Sequence, residues 1–127
     1  MTTLHPDVSK FLATQPSRMY IGGDWVEAAS GGTFETKDPG DNKVLARVAA
    51  GDERDVDRAV KAAHEAFRRS GWASLPANER AVYLHRLADL IDKRREVLAQ
   101  IEALDVGKPL AAAMAGDVPN VSATLRY

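Results

Sequence analysis

Few residues in this sequence could do chemistry. The 127 residues include no cysteine, which excludes a thiolate nucleophile, a disulfide and a thiolate metal ligand. The paired glycines Gly22–Gly23 and Gly31–Gly32 lie among strand-forming residues, which is typical of hairpin turns. A loop that cradles phosphates lies instead between a strand and a helix. The sequence therefore offers neither a thiolate nucleophile nor a nucleotide-binding loop.

Two other ionisable side chains are candidates by residue type. Lys108 stands directly before Pro109, but its neighbours predict neither an acidic partner nor burial, which favours a solvated turn lysine over a catalytic amine. His64 has no second His or Cys four residues further on, which favours a solvated histidine over a metal ligand. We therefore expect no catalytic and no cofactor-binding residue in this chain.

Composition and charge argue against several kinds of partner. The sequence has 17 basic and 18 acidic residues, a formal net charge of -1 and 45% hydrophobic residues, which is ordinary for a globular protein. Basic and acidic residues are interspersed, so the basic stripe of a nucleic-acid-binding surface is missing. No apolar run approaches the ~18 residues of a membrane span, and residues 1–16 lack the order of a signal peptide. We expect a cytoplasmic protein that binds neither nucleic acid nor a membrane.

The first part of the chain has the pattern of short strands. Residues 1–17 are polar with two prolines and predict an N-terminal arm. Between residues 18 and 50, runs with β-branched and aromatic residues alternate with turn residues, which indicates three or four short strands. The turns are predicted at residues 22–24, 30–32 and 38–42. The last strand is predicted to end at Gly51.

After Gly51 the apolar period changes to about 3.6 residues, which is typical of helices. Asp52 is the predicted N-cap of the first helix, and Gly71 is its predicted end. Apolar residues recur on one side of this helix, and we expect that side to be buried. They are Val56, Ala59, Val60, Ala63 and Phe67.

A second helix is predicted over residues 76–104. The charged run 92–96 predicts a bend or break in it, because an unbroken helix of this length would span about 43 Å. Gly107 and Pro109 are expected to end the helix. Residues 110–114 are apolar enough to begin another.

The last stretch, residues 117–127, again has a helical pattern. Its expected inner face consists of Val118, Val121, Thr124 and Leu125. No cap, turn or polar tail follows Tyr127, so we expect the sequence to be interrupted within a helix.

Several stretches follow one another in a specific order, namely YIGGDWVEAASGGTFETKDPGDNKVLARVAAGDERDVDRAVKAAHEAF, the tryptophan at 72, RLADLID, ALDVGKPLAAA and DVPNVSATLRY. Taken together and in this order, they resemble the aldehyde dehydrogenase superfamily. The resemblance covers residues 18–127 and implies an α/β fold, the N-terminal part of the coenzyme-binding domain. Short strands or hairpins over residues 18–50 would precede three to four helices over residues 52–127. The match is to the opening part of a family chain, so we expect an N-terminal fragment that is truncated at its C-terminal end.

The resemblance implies an oxidoreductase. In the family, an aldehyde is oxidised to a carboxylic acid through a thiohemiacetal on a cysteine, with hydride passing to NAD or NADP. The family's cysteine, glutamate base, oxyanion-binding asparagine and nucleotide-binding loop lie beyond this segment. We therefore expect the chain alone to be an inactive scaffold that binds no cofactor.

The expected partners also follow from the resemblance. A small aldehyde is the substrate of the full-length family, and the chain is expected to associate with the missing remainder of the enzyme or to form a homo-oligomer. The alternative is a non-catalytic binding or assembly module derived from the same family.

The resemblance suggests two minor sites. Some family members hold a monovalent cation with backbone oxygens near the positions of Thr36, Lys37 and Asp105, although a neutral residue is common where Lys37 stands. The alternative is that Thr36 ends a strand and Asp105 caps a turn. The family's last helix in this segment lines the aldehyde entrance, which would place Gly116 and Asn120 nearest the opening. The alternative is a helix start and a solvated amide.

Overall fold

A short helix, two hairpins and a run of helices follow one another in the computed structural model, which describes residues 3–14 and 16–127. The strands are β1 (Met19–Ile21), β2 (Asp24–Val26), β3 (Thr33–Lys37) and β4 (Val44–Ala49). β1 pairs with β2 and β3 with β4, antiparallel in both cases, so the strands form two separate sheets. The predicted α/β class is confirmed.

Helices occupy most of the remaining chain. They are α1 (Pro6–Ala13), α2 (Glu53–Arg69), α3 (Ala77–Lys93), α4 (Arg95–Val106), α5 (Leu110–Ala112) and α6 (Val118–Arg126). A 3₁₀ turn (Trp72–Ser74) precedes α3, and a π-turn (Ala113–Asp117) joins α5 to α6. None of the described helices is long and apolar enough to cross a membrane.

The first hairpin turns at the predicted glycines. Gly22 and Gly23 have φ of 65° and 99°, which residues with a side chain rarely adopt. Asp24, expected in the turn, instead begins β2 opposite Ile21, because two residues are enough to reverse the chain.

The N-terminal arm contains a helix that the sequence pattern did not predict. Val8 of α1 is fully buried, and α1 packs against α4. The backbone N–H of His5 donates to Oε1 of Gln100 at 2.8 Å. His5 Nδ1 accepts from the backbone N–H of Asp7 and so caps α1. The helix was missed because its stability comes from α4, far away in sequence.

α2 begins and ends where the sequence predicts. Asp52 is its N-cap, and Gly71, with φ of 75°, follows its last turn. The expectation of a buried apolar face is wrong for this chain: Val56, Val60 and Phe67 are all at least 60% exposed. The reason is that no described element packs over that face.

The predicted break in the second helix is confirmed. Arg94, inside the charged run, departs from helical geometry with φ of -106° and ψ of 16°, and it separates α3 from α4. Its backbone N–H still bonds to carbonyl oxygens of α3, so the two helices remain connected by a tight turn.

A small core lies between α4 and the last helical segment. Ala99, Ala113 and Val118 are buried together. Partly buried apolar side chains surround them, namely Ile91, Leu110 and Met114. Two of the three central residues are alanines, so the helices can approach closely.

The inner face of α6 differs from the expected one. Val118 is buried and Leu125 is half-buried, as expected, but Val121 and Thr124 are exposed and Ser122 is buried in their place. The physical reason is the π-turn before α6: its extra residue changes the angular position around the helix axis of every residue that follows.

Candidate functional site

Thr36 and Asp105, two of the three proposed cation-binding positions, meet in the structure. Thr36 lies in β3 beside an irregularity in the pairing with β4, and Asp105 lies in the last turn of α4. The Thr36 hydroxyl donates to Oδ1 of Asp105 at 3.2 Å, although the two residues are 69 positions apart. Lys37 ends β3 with its side chain exposed. The three residues are therefore neighbours, and their binding of a cation stays a prediction.

Close packing holds this region together. Gly107 caps α4 with φ of 72°, and a Cβ built there would lie only 2.8 Å from Cγ of Pro39. Pro39 follows β3, so the turn after β3 packs directly on the end of α4. Within residues 3–14 and 16–127, no cluster of three or more His, Cys, Asp or Glu side chains could hold a metal.

The proposed entrance residues lie close together in sequence but in different local structures. Gly116 lies inside the π-turn, and nothing lies within 4 Å of a Cβ built there. Asn120 is exposed on α6, where its backbone oxygen accepts from the Thr124 hydroxyl at 2.8 Å. The expected alternative of a helix start at Gly116 does not describe this geometry. Both residues are open to solvent, and their role at an entrance stays a prediction.

Lys108 differs from its predicted environment. It was expected to lack an acidic partner, but its Nζ lies 2.6 Å from Oδ2 of Asp117 and 3.7 Å from Oε1 of Glu102. The hydrogen bond to Asp117, with its negative charge, raises the pKa of the Lys108 ammonium above its ordinary value. A lysine nucleophile must be neutral, so this pairing argues against a catalytic role.

Asp55 is an interaction centre that the sequence pattern did not reveal. Its carboxylate is 2% exposed and accepts from the backbone N–H of Ala29 at 3.1 and 3.0 Å and from that of Asp52 at 3.1 Å. Arg58 lies 3.4 Å from it. Asp55 lies in the first turn of α2, and its carboxylate ties α2 to the loop after β2.

The start of α2 and the Gly22–Gly23 hairpin do not fit the phosphates of a dinucleotide. The start of α2 carries three carboxylates, on Asp52, Glu53 and Asp55, which repel an anion. Backbone N–H groups there already donate to Asp52 and Asp55. Gly22 and Gly23 turn a hairpin and precede no helix.

Arg126 joins the last helix to α3. Its guanidinium lies 2.7 Å from Oδ1 of Asp89 and 2.8 Å from Oδ2 of Asp92. The nearby Ser122 hydroxyl and the Arg126 guanidinium lower the pKa of Asp92 below its ordinary value of 3.8. A lowered pKa in the folded state means that ionised Asp92 stabilises the fold above about pH 4, and that this stabilisation is lost as the pH falls.

Replacing Asp92 with asparagine is therefore expected to weaken the acid sensitivity of the protein. The midpoint of urea unfolding, measured at about pH 6 and about pH 2.5, should fall less for Asp92→Asn than for the parent chain. Arg126→Gln removes a donor to the same carboxylate and should also reduce the fall. An equal loss in all three proteins would contradict the prediction.

Known proteins with similar sequences and similar structures are aldehyde dehydrogenases. The model of the aldehyde dehydrogenase family matches residues 25–127. A mitochondrial aldehyde dehydrogenase from Equus caballus is 45% identical over 112 residues, which cover 87% of this chain and 22% of that relative. Benzaldehyde dehydrogenase from Antirrhinum majus is 40% identical over 116 residues, which cover 91% of this chain and 22% of that relative. The solved NAD+ complex of an aldehyde dehydrogenase from Bacillus cereus superposes with a TM-score of 0.94 at 45% identity, over 98% of this chain and 25% of that one.

The chain belongs to the aldehyde dehydrogenase family. The resemblance recognised from the sequence motifs is thereby confirmed, including its restriction to the N-terminal segment of a family member. The chain spans between a fifth and a quarter of the length of the curated relatives named above.

Proposed function

We propose that this chain forms the first part of the coenzyme-binding domain of an NAD(P)-dependent aldehyde dehydrogenase and contributes scaffold rather than chemistry. The observation that carries the proposal is the superposition on 98% of the chain at a TM-score of 0.94 with an aldehyde dehydrogenase solved with NAD+. In the complete enzyme an aldehyde would be oxidised to a carboxylic acid with reduction of NAD or NADP. The chain itself has no cysteine to form the thiohemiacetal.

The exposed face of α2 supports a scaffold role. Phe67 is 74% exposed and Val60 is 60% exposed, on a helix whose other side is charged. Large apolar side chains grouped on one exposed face typically mark a surface that is covered in the working protein. We infer that the remainder of the dehydrogenase subunit covers this face.

A chimera tests the proposal. This chain would replace the matching segment of the Bacillus cereus enzyme, to which it is 45% identical. We expect the chimera to oxidise a short aliphatic aldehyde with NAD+ within about tenfold of the parent rate, since tenfold corresponds to only ~1.4 kcal/mol. The 127-residue chain alone should show no turnover.

Two neighbouring substitutions in the chimera make the test specific to the exposed face. Phe67→Asp puts a charge on the apolar face and should abolish activity or soluble assembly. Arg68→Asp introduces the same residue at the next position, outside the apolar face. Arg68 is exposed and donates a hydrogen bond to the exposed His64, so this substitution should leave activity nearly unchanged. Equal behaviour of the two variants would show that the apolar face is not covered by the subunit.

The alternative is a non-catalytic assembly module, which the same apolar face would also suit. It predicts that the chimera is inactive while the separate 127-residue chain co-elutes with an intact aldehyde dehydrogenase. The two proposals therefore give opposite results in the same pair of measurements.

A further inference from the structure

The π-turn is the least regular part of the last helical segment. It occupies Ala113–Asp117, between α5 and α6, and α6 continues directly from it. A π-turn holds one residue more than the corresponding α-helical turn, so it displaces the residues after it by one position around the helix. A π-turn interrupts the regular α-helical hydrogen bonds, so other contacts must stabilise it.

An uninterrupted α-helix would place different residues in the core. Asp117, Val121 and Thr124 would then take the places that Val118, Ser122 and Leu125 occupy. Ala113 and Val118, which are five residues apart, are both in the core, as the π-turn requires. The α-helical alternative would bury the Asp117 carboxylate among apolar side chains, which is unfavourable unless the charge is paired.

In the structure, Asp117 is instead held outside the core by Lys108. The Lys108 ammonium lies 2.6 Å from Oδ2 of Asp117 and also approaches Glu102, on α4. The Lys108 side chain is 34% exposed, so the contact is only partly screened by water. This ion pair is available only when Asp117 is turned away from the core.

Contacts further along α6 depend on the same rotation. Arg126 lies within 2.8 Å of both Asp89 and Asp92, on α3. A displacement by one residue would bring Leu125 to the place of Arg126, and a leucine side chain can form neither ion pair. Polar contacts at both ends of α6 therefore favour the π-turn.

We propose that Lys108 is a positioning residue, which selects the π-turn by holding the Asp117 carboxylate and thereby sets the rotation of α6. Lys108 acts on α6 through Asp117, the last residue of the π-turn. The rotation decides that Val118 is buried and that Val121 and Asn120 are exposed. The inference concerns the helix and stands independently of the enzymatic proposal.

Single cysteines can report the rotation, because the chain has none of its own. Val118→Cys and Val121→Cys would be made separately, and the rate of reaction with a thiol reagent such as DTNB measured for each in the 127-residue chain. We expect the thiol of the Val121→Cys variant to react at least about tenfold faster than that of the Val118→Cys variant, since a buried thiol reacts only after local opening.

Substitutions at the ion pair should change this ratio. Asp117→Leu removes the charge and fits the core, so it should reverse the order of the two rates as the segment becomes a regular α-helix. Lys108→Met should lower the ratio, and Lys108→Arg, which keeps the charge, should preserve it. Asp57→Leu removes an exposed carboxylate on α2 and is the matched control that should change nothing.

Each result decides the proposal. A lowered or reversed ratio with Asp117→Leu and with Lys108→Met, together with an unchanged ratio in Lys108→Arg, supports it. Equal rates for the two single-cysteine variants with the ion pair intact would overturn it, as would a ratio that Lys108→Met and Asp117→Leu leave unchanged. If Asp117→Leu does not fold, as judged by circular dichroism, the comparison of Lys108→Met with Lys108→Arg decides alone.

Discussion

Asp55→Ala is expected to lower the free energy of unfolding by about 3 kcal/mol, because it removes a buried, charged acceptor from the partly buried backbone N–H groups of Ala29 and Asp52. The Asp55 carboxylate is 2% exposed and accepts from the N–H groups of Ala29 and Asp52. An alanine replaces none of these bonds and leaves space that only water can fill. The measurement is urea unfolding followed by circular dichroism at neutral pH.

Asp57→Ala is the matched control for this prediction. Asp57 lies on the same helix, is exposed, and pairs with Lys61 at a distance of one helical turn. Exposed pairs of this kind contribute about 0.3–0.5 kcal/mol, so the control should unfold nearly with the parent. Comparable losses for Asp55→Ala and Asp57→Ala would mean that the loop after β2 does not depend on the Asp55 carboxylate.

Gly107→Ala is expected to destabilise the protein for two separate reasons. The positive φ of 72° at Gly107 disfavours any residue with a Cβ, at a cost of about 1–2 kcal/mol. The new Cβ would also lie 2.8 Å from Cγ of Pro39, and overpacking of this kind costs a further ~1–3 kcal/mol. Thermal unfolding followed by circular dichroism would measure the sum.

Gly71→Ala separates the two contributions. Gly71 has a similar φ of 75°, but nothing lies within 4 Å of a Cβ built there. Gly71→Ala should therefore lose only the stability that the positive φ costs. The additional loss of stability in Gly107→Ala then measures the contact with Pro39. If the two variants lose the same stability, the packing of the turn after β3 against α4 contributes nothing.

The elements that the sequence predicted correctly have causes within a few residues. Gly22 and Gly23 turn the first hairpin because of their positive φ, and Asp52 caps α2 through the backbone N–H of Arg54, two residues away. The break near Arg94 follows from a run of five charged residues. In each case the residue type and its immediate neighbours are sufficient to determine the local structure.

The candidate site was predictable only in part. The resemblance to the family grouped Thr36, Lys37 and Asp105 as a cation site formed by backbone oxygens, which stays a prediction. The structure brings the side chains of Thr36 and Asp105 within hydrogen-bonding distance. The partner of Lys108 could not be predicted, because Asp117 reaches it only through a turn of irregular geometry. Lys108 and Asp117 are nine residues apart in the sequence, and this spacing does not indicate an ion pair in a regular helix.

The sequence by itself determined the hairpin turns, the helix ends at Asp52, Gly71 and Gly107, the break near Arg94 and membership of the family, since these depend on local conformation or on motifs in order. Only the tertiary structure decided that Asp55 is buried, that α1 packs on α4 and that α6 is rotated by the π-turn. The physical reason is that burial and pairing depend on residues distant in sequence, such as Ala29 for Asp55. A periodic pattern shows which side of a helix is apolar, but not which element, if any, covers it.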